Sequence, residues 1–150
     1  MAGRCFEDWT VGDRIEHVLR RTVTETDNLL FTALTHNTQP LHLDAEAAAA
    51  SEFGAILVNG IFTFGLMIGV SVEDTTAGVL IANLGYDELV MPKPVFIGDT
   101  LRGRTTVAQL KESRSRPAAG IVTFAHELGN QRGEIVCRCR RTALVRRRTA

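Results

Sequence analysis

The segment Thr35-His36-Asn37-Thr38-Gln39-Pro40-Leu41-His42-Leu43-Asp44 sets two imidazoles, two side-chain amides and a carboxylate around one proline-stiffened turn. Imidazole exchanges protons near neutral pH, so His42 is the candidate acid–base. Asn37 cannot take a proton, but its amide can hold a water by accepting one hydrogen bond and donating another. Asp44 stands before an alanine-rich stretch and suits a helix N-cap better than a catalyst. His36 suits the solvent-facing end of the preceding helix, where the dipole favours a cation.

The flanking elements must position this turn. Thr24-Glu25-Thr26-Asp27 has the spacing of a capping box, with Asp in place of Glu. Leu29, Leu30, Ala33 and Leu34 then recur at helical spacing, which predicts a short amphipathic helix to about Thr35. Pro40 forbids its simple continuation, and Asp44 opens a helical turn or two over 45–51. Asn59-Gly60 leads into Ile61-Phe62-Thr63-Phe64-Gly65-Leu66-Met67-Ile68-Gly69-Val70, a run apolar on every face, hence a helix enclosed by other elements. Strands are expected at about 14–22, 78–90, 99–113, 120–128 and 134–147. Met91-Pro92-Lys93-Pro94 interrupts as a bulge or edge, and Gly129-Asn130-Gln131-Arg132-Gly133 connects the last two strands as a hairpin. The strand at 102–111 alternates poorly, as an exposed or edge strand does. One strand, helices, then four strands predict an α+β fold, an antiparallel β-sheet wrapped around a central apolar α-helix. No internal repeat or low-complexity linker divides the chain, so residues 1–150 read as a single domain.

The chain is long enough to bury a core without disulfides or metals, and its 45% hydrophobic and 23% charged residues are ordinary for a folded protein. With 17 basic and 17 acidic residues, no global field recruits nucleic acid. Arg138, Arg140, Arg141, Arg146, Arg147 and Arg148 crowd the C-terminus, where a solvated strand face and a frayed tail account for them. Cys5, Cys137 and Cys139 form neither a disulfide framework nor a set of metal ligands, which suggests thiols in a reducing cytoplasm. No signal-peptide pattern opens the chain, and the longest greasy stretch, 61–72, is too short to span a bilayer. The expectation is a cytoplasmic protein with no membrane span and no metal.

Four pieces in one order resemble the MaoC-like dehydratase family, which includes the (R)-specific enoyl-CoA hydratases. These are Phe6-Glu7-Asp8 followed by Val11-Gly12-Asp13; Asn37-Thr38-Gln39-Pro40-Leu41-His42-Leu43-Asp44, against Asp-x-Asn-Pro-x-His-x-Asp; Val58-Asn59-Gly60, against an apolar residue and His-Gly; and Pro94-Val95-Phe96-Ile97-Gly98-Asp99-Thr100-Leu101. The resemblance implies the hotdog fold, a homodimer, and an acyl-CoA substrate held near the subunit interface, with CoA part of the substrate and no separate cofactor. It also implies that His42 and the residue at Asn37 act on the water that adds to a 2-enoyl-CoA, and that Asn59 and Gly60 lie at the substrate, with the Gly60 N–H aimed at a developing oxyanion. Close packing explains that glycine equally well.

Two departures stand out: Asn37 occupies the place of the family's Asp, and Gln39 that of its Asn. Three readings stay open. His42 is the sole base; or His36, Asp44 or a substrate carboxylate replaces the missing group; or the site binds thioesters without turning them over. Gly65 stands where some hydratases carry a pocket serine. Arg114 and Arg116, in a hairpin-like connection, offer a grip for a CoA phosphate or an acyl carboxylate. Together with Asn37 and Asn59-Gly60 they resemble the branch acting on mesaconyl- and itaconyl-type CoA substrates. Thioester hydrolysis is the enzymatic alternative, and a silent acyl-CoA-binding protein the non-enzymatic one.

Overall fold

A computed structural model describes residues 3–148. After a 3-10 turn at Phe6–Asp8, the chain forms β1 (Arg14–Thr22), α1 (Glu25–Leu34), α2 (Pro40–Leu43), α3 (Ala45–Ala49), α4 (Gly60–Thr75), β2 (Leu80–Val90), β3 (Thr100–Glu112), β4 (Ala119–Gly129) and β5 (Ile135–Arg146). The strands make one five-stranded antiparallel sheet in the order β1-β3-β4-β5-β2. α4 lies against β1, β3, β4 and β5. The architecture is the expected sheet wrapped around a central helix.

α4 meets the sheet through Met67 and Val70, which pack with Leu101, Leu128, Cys137 and Cys139. Its other buried residues, Thr63, Ser71 and Thr75, return their hydroxyls to the helix's own carbonyls or its cap, at 3.4, 2.7 and 2.6 Å. Those hydroxyls are therefore satisfied inside the core. Burial pushes the thiol of Cys137 up to about 12 and that of Cys139 up to about 11, which makes both inert packing groups.

Four sequence expectations are corrected. The strand at 102–111 is no edge: β3 lies between β1 and β4. Its buried positions alternate regularly as Leu101, Gly103, Thr105 and Val107. The pattern is hidden because two of these residues are not apolar. A Cβ on Gly103 would stand 2.7 Å from Cγ2 of Val70, so this glycine is where α4 presses closest to β3. Thr105 belongs to a buried polar chain. Asp74 Oδ2 lies 2.8 Å from His17 Nδ1, His17 Nε2 lies 2.7 Å from the Thr105 hydroxyl, and that hydroxyl lies 2.7 Å from His126 Nδ1.

The second correction concerns α1. The face buried against the molecule carries Asn28 and Thr32, while Leu29, Leu30 and Leu34 are exposed. The leucine spacing identifies the helix but points to the wrong face. The third concerns the arginines. Arg141 is fully buried, donating to Asn83 Oδ1 at 2.7 Å and Thr76 Oγ1 at 3.2 Å. Arg147 pairs with Glu7 and Glu112, and Arg148 with Asp8, so the chain as far as Arg148 is tied down rather than frayed. The tail beyond Arg148 lies outside the described residues. Finally, Met91-Pro92-Lys93-Pro94 is neither bulge nor edge but the start of the loop joining β2 to β3. Among the described residues no helix is long and apolar enough to cross a membrane.

Candidate functional site

His42 sits on α2, a single turn with Pro40 at its start, where the missing N–H and fixed φ of proline cost nothing. Asp44 ends that turn and caps α3, its Oδ1 accepting the N–H groups of Glu46 and Ala47 at 2.9 and 3.0 Å. Its place as an N-cap matches the spacing argument. His42 Nδ1 lies 2.9 Å from the carbonyl oxygen of Leu57. A carbonyl only accepts, so Nδ1 carries a proton, and in the neutral ring Nε2 is the nitrogen with the lone pair.

The imidazole opens on a pocket of about 350 Å³ whose wall includes His42, Phe53, Gly60, Thr63, Lys93 and Val136. The wall is mostly apolar, and Lys93 is its one lysine or arginine. Lys93 rides on a well-anchored loop. Asp99 Oδ2 accepts the Phe96 N–H at 3.0 Å, and its Oδ1 accepts from Gln131 Nε2 at 2.7 Å and Arg132 Nη1 at 2.8 Å. Burial works to raise the Asp99 carboxyl, but these donors outweigh it and hold the group below the usual carboxylate range. Gly98, with φ of 93°, takes the left-handed conformation that this turn requires. The Gly-Asp pair of the fourth motif therefore anchors the loop that carries Lys93, without itself lining the pocket.

Gly60 and His42 share the pocket. Asn59 caps α4, its Oδ1 accepting the Ile61 N–H at 3.0 Å, while its backbone carbonyl accepts from Thr63. That leaves the Gly60 N–H among the unpaired donors of a helix N-terminus, where a developing negative charge is favoured. A Cβ on Gly60 would come within 2.5 Å of Met91 Sδ. The atom it would meet is the far end of a flexible side chain. Asn59 itself is buried and engaged in capping.

Asn37 is half-buried and is not among the residues lining the pocket. Its Oδ1 accepts the Gln39 N–H at 3.0 Å, and its own N–H donates to the Thr32 carbonyl at 3.0 Å. One acceptor position is thus spent on the turn, and among the described residues Nδ2 makes no hydrogen bond. His36 is exposed with φ of 53°, a left-handed residue just past the end of α1. Gly65 is exposed and outside the pocket. Arg114 and Arg116 follow the far end of β3, whereas the pocket lies near its start. Thirteen strand residues intervene, roughly 40 Å, so the single chain does not bring these arginines to His42.

Sequence reasoning missed two residues. Lys93 lay inside a segment read only as a break, and proline neighbours gave no sign of which way it faced. Asn28 sits on the helical face opposite the leucine stripe, where nothing in the pattern marks it. Among the described residues no cluster of His, Cys, Asp or Glu could hold a metal ion.

The sheet, the enclosed helix and the His42 pocket at its N-terminus define a hotdog-fold protein. A conserved hypothetical protein from Mycobacterium tuberculosis, described as a double hotdog fold, superposes with a TM-score of 0.88 at 23% identity, covering 97% of this chain and 45% of that one. The model of the MaoC like domain matches residues 7–129, and the chain belongs to that family of dehydratase domains. A MaoC-like dehydratase from Rhodospirillum rubrum gives a TM-score of 0.87 and 36% identity, covering 99% of this chain and 100% of that one. The mesaconyl-CoA hydratase of Cereibacter sphaeroides is 40% identical over 147 residues, 98% of this chain but 42% of that protein. The chain spans less than half the length of this relative.

Proposed function

We propose that this chain reversibly hydrates the double bond of a 2-enoyl-CoA thioester whose small acyl group carries a second carboxylate. One observation carries the proposal: the Leu57 carbonyl fixes the Nδ1–H tautomer of His42, leaving Nε2 basic in an apolar pocket shared with Gly60. In the forward direction Nε2 takes a proton from water as the water oxygen bonds to the β-carbon. The double-bond electrons shift toward the thioester carbonyl, whose oxygen accepts the Gly60 N–H. The imidazolium then returns its proton to the α-carbon, which restores the thioester carbonyl and regenerates His42. Asn37 orients the water through Nδ2–H, and CoA arrives with the substrate, so no further cofactor is invoked.

The dicarboxylic acyl group is supported by Lys93 in the pocket wall and by the name of the mesaconyl-CoA hydratase relative. Homodimer formation belongs to the same proposal. β2 is an outer strand of the sheet and exposes Leu84, while α4 exposes Ile61 at the helix end nearest the pocket. A second proposal is a site that binds acyl-CoA without turnover, favoured by Asn37 standing outside the pocket with its Oδ1 engaged.

Purified protein with crotonyl-, mesaconyl- and itaconyl-CoA separates these. Water addition that disappears in His42→Ala supports the hydratase. Binding without turnover, with activity appearing in Asn37→Asp, supports the silent site. Release of free thiol would instead mark a thioesterase.

A further inference from the structure

Asn28 lies one turn into α1, is 2% exposed, and is not among the residues lining the pocket. The capping box of Thr24 and Asp27 fixes the start of the helix and hence the direction of this side chain. Its carboxamide spans two segments that the chain keeps well apart. Nδ2–H donates to the backbone carbonyl of His42 at 3.0 Å, and Oδ1 accepts the backbone N–H of Asn59 at 2.8 Å. The opposite amide orientation would set donor against donor and acceptor against acceptor, so the network defines which atom is which. One turn further on, fully buried Thr32 offers its carbonyl to the Asn37 N–H at 3.0 Å. The inner face of α1 is therefore polar: Asn28 holds the His42 and Asn59 backbones, and the Thr32 hydroxyl accepts from Asn59 Nδ2 at 3.5 Å.

We propose that Asn28 is a positioning residue: its amide sets the separation between the His42 imidazole and the Gly60 N–H. The inference rests on the hydratase proposal for the roles of those two groups. The carbonyl that Asn28 binds belongs to the residue bearing the base. The N–H that it binds is the next peptide donor to that of Gly60, so a tilt of the Asn59 peptide turns the oxyanion donor too. On the other side of His42, the ring is held by the Leu57 carbonyl, and Leu57 N–H returns to the Leu41 carbonyl at 3.1 Å. Among the described residues Asn28 is the only side chain of α1 that bonds to both the His42 and the Asn59 backbone.

Asn28→Asp keeps the shape and the acceptor for Asn59 N–H but loses the donor facing His42, and Asn28→Leu removes both at similar size. Two readouts are taken well below the melting temperature: kcat and KM for crotonyl- and mesaconyl-CoA, and the ring-nitrogen NMR signals of His42. The expected result for Asn28→Asp is a folded protein whose kcat drops about ten- to a hundredfold with KM within about twofold, since misplacing a reacting group by an ångström has effects of this order. Its His42 ring signals move away from a fixed Nδ1–H tautomer. Unchanged ring signals, or a kcat loss that only tracks the folded fraction, overturn the proposal. If wild type adds no water to any of the thioesters, the hydratase proposal fails, while the ring signals still decide whether Asn28 holds His42. If Asn28→Leu does not fold, Asn28→Asp decides alone.

Discussion

The Nδ1 of His42 and the carbonyl oxygen of Leu57 lie 2.9 Å apart, joining the one-turn helix α2 to the segment that enters α4. The bond selects a tautomer and aims the ring in one step. It also links the acid–base to the helix N-terminus that presents Gly60, so the two ends of the proposed reaction are held by neighbouring parts of one loop system.

Removing the imidazole should abolish chemistry and leave the pocket. In His42→Ala, kcat is expected to fall by about a hundred- to ten-thousandfold, while thioester binding, measured by calorimetry, changes little. Asn37→Asp should raise kcat, because a carboxylate can share the proton transfer that an amide cannot. A His42→Ala variant with near wild-type kcat would remove His42 from the mechanism.

Lys93 should discriminate among substrates. Lys93→Met keeps length and removes charge, so KM for mesaconyl-CoA is expected to rise about fivefold, the equivalent of about 1 kcal/mol for a solvent-accessible ion pair. KM for crotonyl-CoA should stay near wild type. An equal rise for both thioesters would instead place the lysine at a phosphate of CoA, shared by both substrates.

His126 should make the fold acid-sensitive. Burial, reinforced by the charges of Arg141 and His17, pushes its pKa from 6.5 down to about 3. Between those values the unfolded chain binds a proton that the native chain excludes. Stability is therefore complete above about pH 6.5 and declines as pH falls toward 3, by about 1.4 kcal/mol per pH unit for this group. Urea unfolding across this window should show a shallower slope in His126→Gln, by about one proton. Identical slopes would mean that His126 is protonated in the native state.

Gly103 should be the least forgiving glycine under α4. Gly103→Ala places a Cβ 2.7 Å from Val70 Cγ2 and 3.3 Å from His17 Cδ2. The expected loss is about 1–3 kcal/mol, typical of overpacking. Combining it with Val70→Ala should cost less than the sum of the two single changes. Strict additivity in chemical denaturation would show that the two residues do not compete for space.

Much of this protein was determined by local physics and so was legible in the chain. Strand and helix order followed from alternation, caps and the unbroken apolar run of α4. Asp44 as a cap and His42 on a proline-stiffened turn depend on neighbours within a few residues. Other features depended on what each element meets in space. The leucines of α1 announce a helix, but the face that turns inward is the one whose Asn28 and Thr32 side chains partner the polar groups of His42 and Asn59. β3 hides its alternation because Val70 requires a glycine opposite it and two histidines require Thr105. Arg141 looks like the other arginines of its strand, yet its position on the helix-facing side buries it. Arg114 and Arg116 have suitable chemistry, but the length of β3 keeps them from the pocket in one chain, while Lys93 reaches it through a loop clamped by Asp99. A pocket is built from segments distant in sequence, and only tertiary packing decides which of them converge.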